Sequence, residues 1–270
     1  MKRQLAAVAL VFSGVALFLS TRSQTFTRVA IDGRALRMLV TGRGDPAVVF
    51  ENGLEPPLEM WGKVQPAVSR FARTVTYDRA GVGLSDEGPR PRDGRRIAAE
   101  LHQALRSAGI APPYILVGAS LGGPYVRIFA GMYAGEVSGM VLVDPTPDSE
   151  RVDDARAAAG LPELKSLPDT LDQAHDSRVP IGIPVFLIDA VSPVEVPFAT
   201  SAIRTLRMSN RADIEAESLE YREWMDTIPR SRLIVTTRSG HNVPIEEPDL
   251  VVETIRHVVE EARSRQGRTP

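Results

Sequence analysis

The strongest constraint on this chain is an alternation of short β-rich runs, most of them continuously apolar, with amphipathic stretches. The runs fall at residues 47–50, 74–77, 114–117, 139–143, 184–188 and 232–237. A strand with no polar face has to be buried on both sides. The stretches between them carry helical spacing at about 58–71, 93–108, 121–134, 213–227 and 248–262. Two further β-rich runs, 28–31 and 35–41, flank Asp32-Gly33, a turn dipeptide that joins antiparallel neighbours. The pattern predicts an α/β fold: a mostly parallel central sheet of about eight strands, helices on both faces and an antiparallel edge.

Two regions stand outside this alternation. Lys2 and Arg3 lead into an apolar run over 5–19, followed by polar residues 20–24. A basic start and a hydrophobic run of that length read as a signal peptide or an uncleaved membrane anchor, placing the rest of the chain outside the cytoplasm. The run is shorter than the ~20 residues of a relaxed transmembrane helix. Segment 1–24 is therefore set apart from one α/β domain over 25–270. Within that domain, residues 145–182 contain a predicted helix over 148–160 and then Pro162, Pro168 and Pro180. This insertion is expected to form a small lid.

Gly118-Ala119-Ser120-Leu121-Gly122 lies where the 114–117 strand passes into the next helix. A serine on a sharp strand-to-helix turn projects its hydroxyl clear of the sheet, and flanking glycines let strand and helix approach. Ser120 is the expected nucleophile. A serine hydroxyl needs a base, and the chain has only 4 histidines. His102 and His257 fall inside predicted helices and His175 in the lid. His241 alone sits in a loop directly after a strand, so it is the expected base. A carboxylate must hold the other imidazole nitrogen, and the order Ser, acid, His restricts it to residues 121–240. Asp144, after the strand that follows Ser120, is the first choice. Asp189, at the end of the next strand, and then Glu195 are the alternatives. The backbone N–H of Leu121 and that of Leu54 are the expected oxyanion donors, with Gly53 letting the second loop come close to Ser120.

Together these segments resemble the α/β-hydrolase fold superfamily. The resemblance rests on Val48-Val49-Phe50-Glu51-Asn52-Gly53, the stretch Tyr77-Asp78-Arg79-Ala80-Gly81-Val82-Gly83-Leu84-Ser85-Asp86, the serine turn, Leu142-Val143-Asp144-Pro145 and Ser239-Gly240-His241. It covers residues 27 to about 262 and implies Ser120 as nucleophile and His241 as base; the acid follows either of two strands in such proteins. Many relatives carry His-Gly where this chain has Asn52-Gly53, a change expected to alter the pocket floor. Asp189-Ala190-Val191-Ser192-Pro193 departs from the common Gly-x-x-Asp acid loop, which favours Asp144. Epoxide hydrolases and haloalkane dehalogenases of this fold carry Asp at the position of Ser120, and the lid holds no tyrosine or tryptophan to activate an epoxide.

Acids and bases nearly balance, at 34 Asp+Glu against 32 Lys+Arg, so a nucleic-acid partner is not expected. With no cysteine, thiol catalysis and disulfides are excluded. The dispersed histidines give no metal-ligand spacing, and no cofactor is expected. The expected activity is hydrolysis of a small or medium carboxylic ester through an acyl-enzyme, with a small-molecule acyl substrate as the partner. The alternatives are C–C, lactone or amide cleavage, acyl transfer, or a catalytically silent ligand-binding protein.

Overall fold

The computed structural model describes residues 26–54, 58–150, 160–177, 179, 182–192 and 211–267. The N-terminal segment and Glu195 lie outside the described residues. So does most of the helix predicted over 148–160, whose first residues, Asp148 and Ser149, form a turn. Among the described residues no helix is long and apolar enough to cross a membrane.

Eight strands form one sheet in the order β1-β2-β4-β3-β5-β6-β7-β8. They are β1 (Thr27–Ile31), β2 (Arg34–Thr41), β3 (Ala47–Glu51), β4 (Thr74–Tyr77), β5 (Tyr114–Ala119), β6 (Val137–Val143), β7 (Val185–Ala190) and β8 (Ser231–Thr236). β1 and β2 make the expected hairpin, and β2 pairs antiparallel with β4; every later pairing is parallel. The continuous apolar runs divide by pleat. Val49, Leu116, Leu142 and Leu187 face one core, and Val48, Ile115, Val117, Val141 and Ile188 face the other. Each such side chain, fully buried, contributes roughly 1.5–3 kcal/mol, which is why no polar residue interrupts these runs.

Helices cover both faces. The first core is closed by α2 (Gly94–Ser107) and α3 (Gly122–Met132), through Leu101, Leu105, Ile128 and Phe129. Asp93 caps α2, accepting from the Arg96 N–H at 3.0 Å. The second core is closed by α8 (Pro248–Gln266), through Val251, Ile255 and Val259. The helix expected over 58–71 is broken. A 3₁₀ turn (Leu58–Trp61) ends at Gly62, and a separate short helix α1 (Gln65–Val68) begins with Pro66 in its first turn. Proline has no N–H to donate to the preceding turn, so the chain restarts a helix there instead of continuing one.

In the lid region, α4 (Pro162–Lys165) and α5 (Leu167–Asp176) lie over the first core. Thr170 and Gln173 accept from the backbone N–H groups of Gly94 and Arg95 at 3.0 and 2.8 Å, so α5 is fastened to the start of α2. Leu164, Leu167 and Leu171 pack on Ile97, Leu121 and Tyr125, directly beside the serine turn. Beyond β7 come α6 (Arg211–Asp226) and, after β8, α7 (Val243–Glu246).

Candidate active site

Asn52, Asp78, Ser120 and Asp144 follow the last residues of β3, β4, β5 and β6, Asp189 is the penultimate residue of β7, and His241 lies in the loop after β8. A parallel sheet gathers strand ends on one rim, where ligands bind in such folds.

Ser120 adopts φ 53°, a left-handed conformation that few residues other than glycine take. The strain is held by three backbone bonds: Ser120 N–H to Val143 O at 3.1 Å, and the Gly123 and Thr146 N–H groups to Ser120 O, each at 2.9 Å. Glycine is required on both sides. A Cβ on Gly118 would stand 2.4 Å from Gly122 O, and one on Gly122 would stand 2.4 Å from Glu51 O. The serine turn exists because β5, α3 and the end of β3 meet without side chains between them.

His241 joins two of the predicted partners. Its Nε2 lies 2.9 Å from Ser120 Oγ and its Nδ1 lies 2.5 Å from Asp144 Oδ2. A carboxylate on Nδ1 keeps a proton there and leaves Nε2 to accept from the serine hydroxyl. The buried Asp144 is itself oriented, since its Oδ1 accepts from the Ala190 N–H at 3.1 Å. The His241 loop is pinned from behind: Glu246 accepts the Gly240 N–H at 2.9 Å, and Glu247 accepts from Thr236 and from Arg238 Nε. Asp189 points elsewhere, accepting from Ser218 Oγ of α6 at 2.6 Å, and burial pushes its carboxyl above the ordinary range. His102 bonds to Glu136 and stacks on Tyr133, His175 lies near Asp148, and His257 is exposed on α8.

The loop after β3 passes against the serine. A Cβ on Gly53 would lie 3.1 Å from Ser120 Cβ and 3.6 Å from its Oγ. Among the described residues, neither the Leu121 N–H nor the Leu54 N–H has a protein acceptor. Asn52, which stands where many relatives have histidine, turns its side chain to β4 and Trp61. It is fully buried, donating to Tyr77 O at 3.0 Å and accepting from Trp61 Nε1 at 2.7 Å.

One part of the site was not assigned a role from sequence. Arg79, Glu51 and Glu163 are all buried, and the Arg79 guanidinium pairs with both carboxylates at 2.8 Å. Tyr77 donates its hydroxyl to the other Glu51 oxygen. Burial pushes the Glu51 carboxyl up, while Arg79 pulls it back. Deleting one member of such a cluster costs about 3–5 kcal/mol, because it leaves a buried charge unpaired. A signal was present in the sequence: Glu51 is an acid closing a run that is otherwise fully apolar, and such an acid needs a buried cation. Among the described residues, no group of histidine, aspartate and glutamate is arranged to hold a metal ion.

A family model described as alpha/beta hydrolase fold matches residues 46–176. The YqjL protein of Bacillus subtilis is 23% identical over 218 residues, spanning 78% of this chain and 82% of its own length. Pyrrolizixenacetamide deacetylase of Xenorhabdus hominickii is 27% identical over 237 residues, spanning 85% and 86%. Among solved structures, a thermophilic esterase from Thermogutta terrifontis superposes with a TM-score of 0.63 at 18% identity, covering 88% of this chain and 99% of that one. At that identity the likeness is one of fold. The matched model, the strand order and the strained serine turn at the end of β5 show that this chain has the α/β-hydrolase fold.

Proposed function

We propose that this protein is a serine hydrolase that cleaves a small or medium carboxylic ester through an acyl-enzyme. The observation that carries the proposal is the single imidazole of His241 bridging Ser120 Oγ and Asp144 Oδ2. In this mechanism Ser120 Oγ attacks the carbonyl carbon while His241 Nε2 takes its proton. The Leu121 and Leu54 N–H groups receive the developing oxyanion, and Asp144 stabilises the imidazolium. His241 then protonates the departing alcohol as the C–O bond breaks. Water, deprotonated by the same imidazole, attacks the acyl-enzyme and releases the acid and Ser120.

The relative named as a deacetylase supports removal of an acyl group as the chemistry, and it makes amide deacetylation the second reading. Acetyl esters and acetamides are therefore the first substrates to compare. The basic, apolar start of the chain supports an exported or membrane-anchored enzyme.

The test is hydrolysis of a graded series of chromogenic acyl esters and matched anilides by residues 24–270, beside the Ser120→Ala variant. Ester turnover that vanishes in the variant is the expected result. Folded protein that hydrolyses no ester, or a variant that keeps full activity, would overturn the proposal.

A further inference from the structure

Arg79 lies in the loop after β4 and is 1% exposed. A guanidinium has five N–H donors in a rigid planar fork, and here every one has an acceptor. Nη1 donates to Glu51 Oε1 and Asn52 O, each at 2.8 Å. Nη2 donates to Gly53 O and Glu163 Oε2, each at 2.8 Å, and Nε donates to Glu163 Oε1 at 2.9 Å. Three of these acceptors, Glu51 and two successive carbonyls, belong to the end of β3 and its loop. The other two belong to one lid carboxylate.

The Gly53 carbonyl and the Leu54 N–H belong to the same peptide unit. A trans peptide is planar, with its C=O and N–H pointing in opposite directions. Fixing the Gly53 oxygen on Arg79 therefore fixes the direction of the Leu54 N–H, away from the guanidinium. Gly53 is also the residue at which such a plane would otherwise turn most freely, having no Cβ. Ser120 packs against that same glycine.

We infer that Arg79 is a positioning residue that aims the Leu54 N–H, and that Glu163, from the lid, locks the guanidinium in the orientation that does so. Seating of α4 and alignment of the second oxyanion donor are thus one device. The inference rests on the serine-hydrolase reading given above. Lysine cannot replace the arginine, because an ammonium has three donors and no fork to span two carbonyls and a bidentate carboxylate.

The test uses the full chain with Glu163→Gln and Arg79→Lys, after circular dichroism and melting show which variants fold. Three readouts are taken: labelling of Ser120 by a fluorophosphonate, kcat and KM on the best ester, and Ki for a trifluoromethyl ketone, whose adduct with Ser120 bears an oxyanion. Loss of a whole oxyanion donor lowers kcat by about 10²–10³-fold, which is the ceiling expected for Arg79→Lys. Glu163→Gln keeps one acceptor for the fork and should lower kcat roughly tenfold with KM nearly unchanged. The ketone Ki should rise in parallel with the loss of kcat/KM, a correlation that a merely structural defect does not produce. A folded Glu163→Gln variant with wild-type kcat and Ki overturns the inference alone, as does a change confined to KM. A wild-type protein that is never labelled overturns the serine-hydrolase reading and this inference with it.

Discussion

Asp144 and Asp189 each follow one member of the same cross-strand pair, yet their carboxylates serve different neighbours. Val143 pairs with Ile188 across the parallel strands β6 and β7; Asp144 follows the end of β6, and Asp189 is the next residue of β7. Asp189 stays in the extended strand and turns its side chain to Ser218 of α6. Asp144 leaves the pleat at φ 42°, and its carboxylate meets the imidazole of His241. One backbone angle separates the acid that can orient a base from the acid that cannot.

Asparagine at position 144 would present an amide to His241 Nδ1 and favour the wrong tautomer. Asp144→Asn should lower kcat by about 10³–10⁴-fold with the fold retained. Asp189→Asn, which keeps an oxygen for Ser218, should leave kcat within about twofold, since it touches neither Ser120 nor His241. Steady-state kinetics on both variants decides the assignment. The reverse pattern would move the acid to β7.

Asp189 should instead set part of the pH dependence of stability. Burial raises its carboxyl above the unfolded value, so the folded state binds the proton more tightly. The stability this group contributes is complete below the unfolded pKa and is lost as pH rises through the raised folded pKa. Towards alkaline pH the wild-type protein therefore lacks that contribution. Asp189→Asn should be more resistant to urea than wild type at pH 8, with the difference shrinking towards pH 4. A constant difference across that range would show that the carboxyl titrates normally.

The architecture was legible because its determinants are local. Most buried strands announce themselves as apolar runs, and Asp32-Gly33 and Asp93 mark the hairpin and the start of α2 within a few residues. The meeting of Ser120 with His241 was legible by elimination, since chain order and strand ends leave one histidine. The choice between Asp144 and Asp189 was open because both close neighbouring strands, and the deciding φ at Asp144 is imposed by tertiary bonds such as Asp144 N–H to Ile188 O at 2.7 Å. Arg79 and Glu163 lie 84 residues apart, and no pattern within one segment could have joined them.

Strain at the serine makes a separate prediction. A residue with a Cβ costs roughly 1–2 kcal/mol in the left-handed region, and glycine does not. Ser120→Gly and Ser120→Ala should both be inactive, yet the glycine variant should be the more stable by about 1 kcal/mol. Both lose the same bond to His241, so the comparison isolates the backbone. Equal stability in urea unfolding would show that φ at 120 is not held positive in solution.

Two glycines near Ser120 should fail in different ways. At Gly118 an added Cβ meets Gly122 O at 2.4 Å and Val126 Cγ2 at 2.8 Å. The first of these is backbone within the turn and cannot yield without separating β5 from α3. Gly118→Ala should therefore destabilise the protein by about 1–3 kcal/mol or more, in the manner of an overpacked core. At Gly53 the nearest atom is Ser120 Cβ at 3.1 Å, a contact relieved by a shift of a few tenths of an ångström. The group displaced is the nucleophile itself. Since a misplacement of about 1 Å can cost ~10²-fold in rate, Gly53→Ala should lose roughly tenfold in kcat while unfolding near the wild-type urea midpoint. Urea unfolding and kcat measured on the same preparations separate the two effects. A Gly53→Ala variant with full activity would mean that the loop after β3 does not press on Ser120 during turnover, and the Leu54 N–H would then lose its claim as an oxyanion donor.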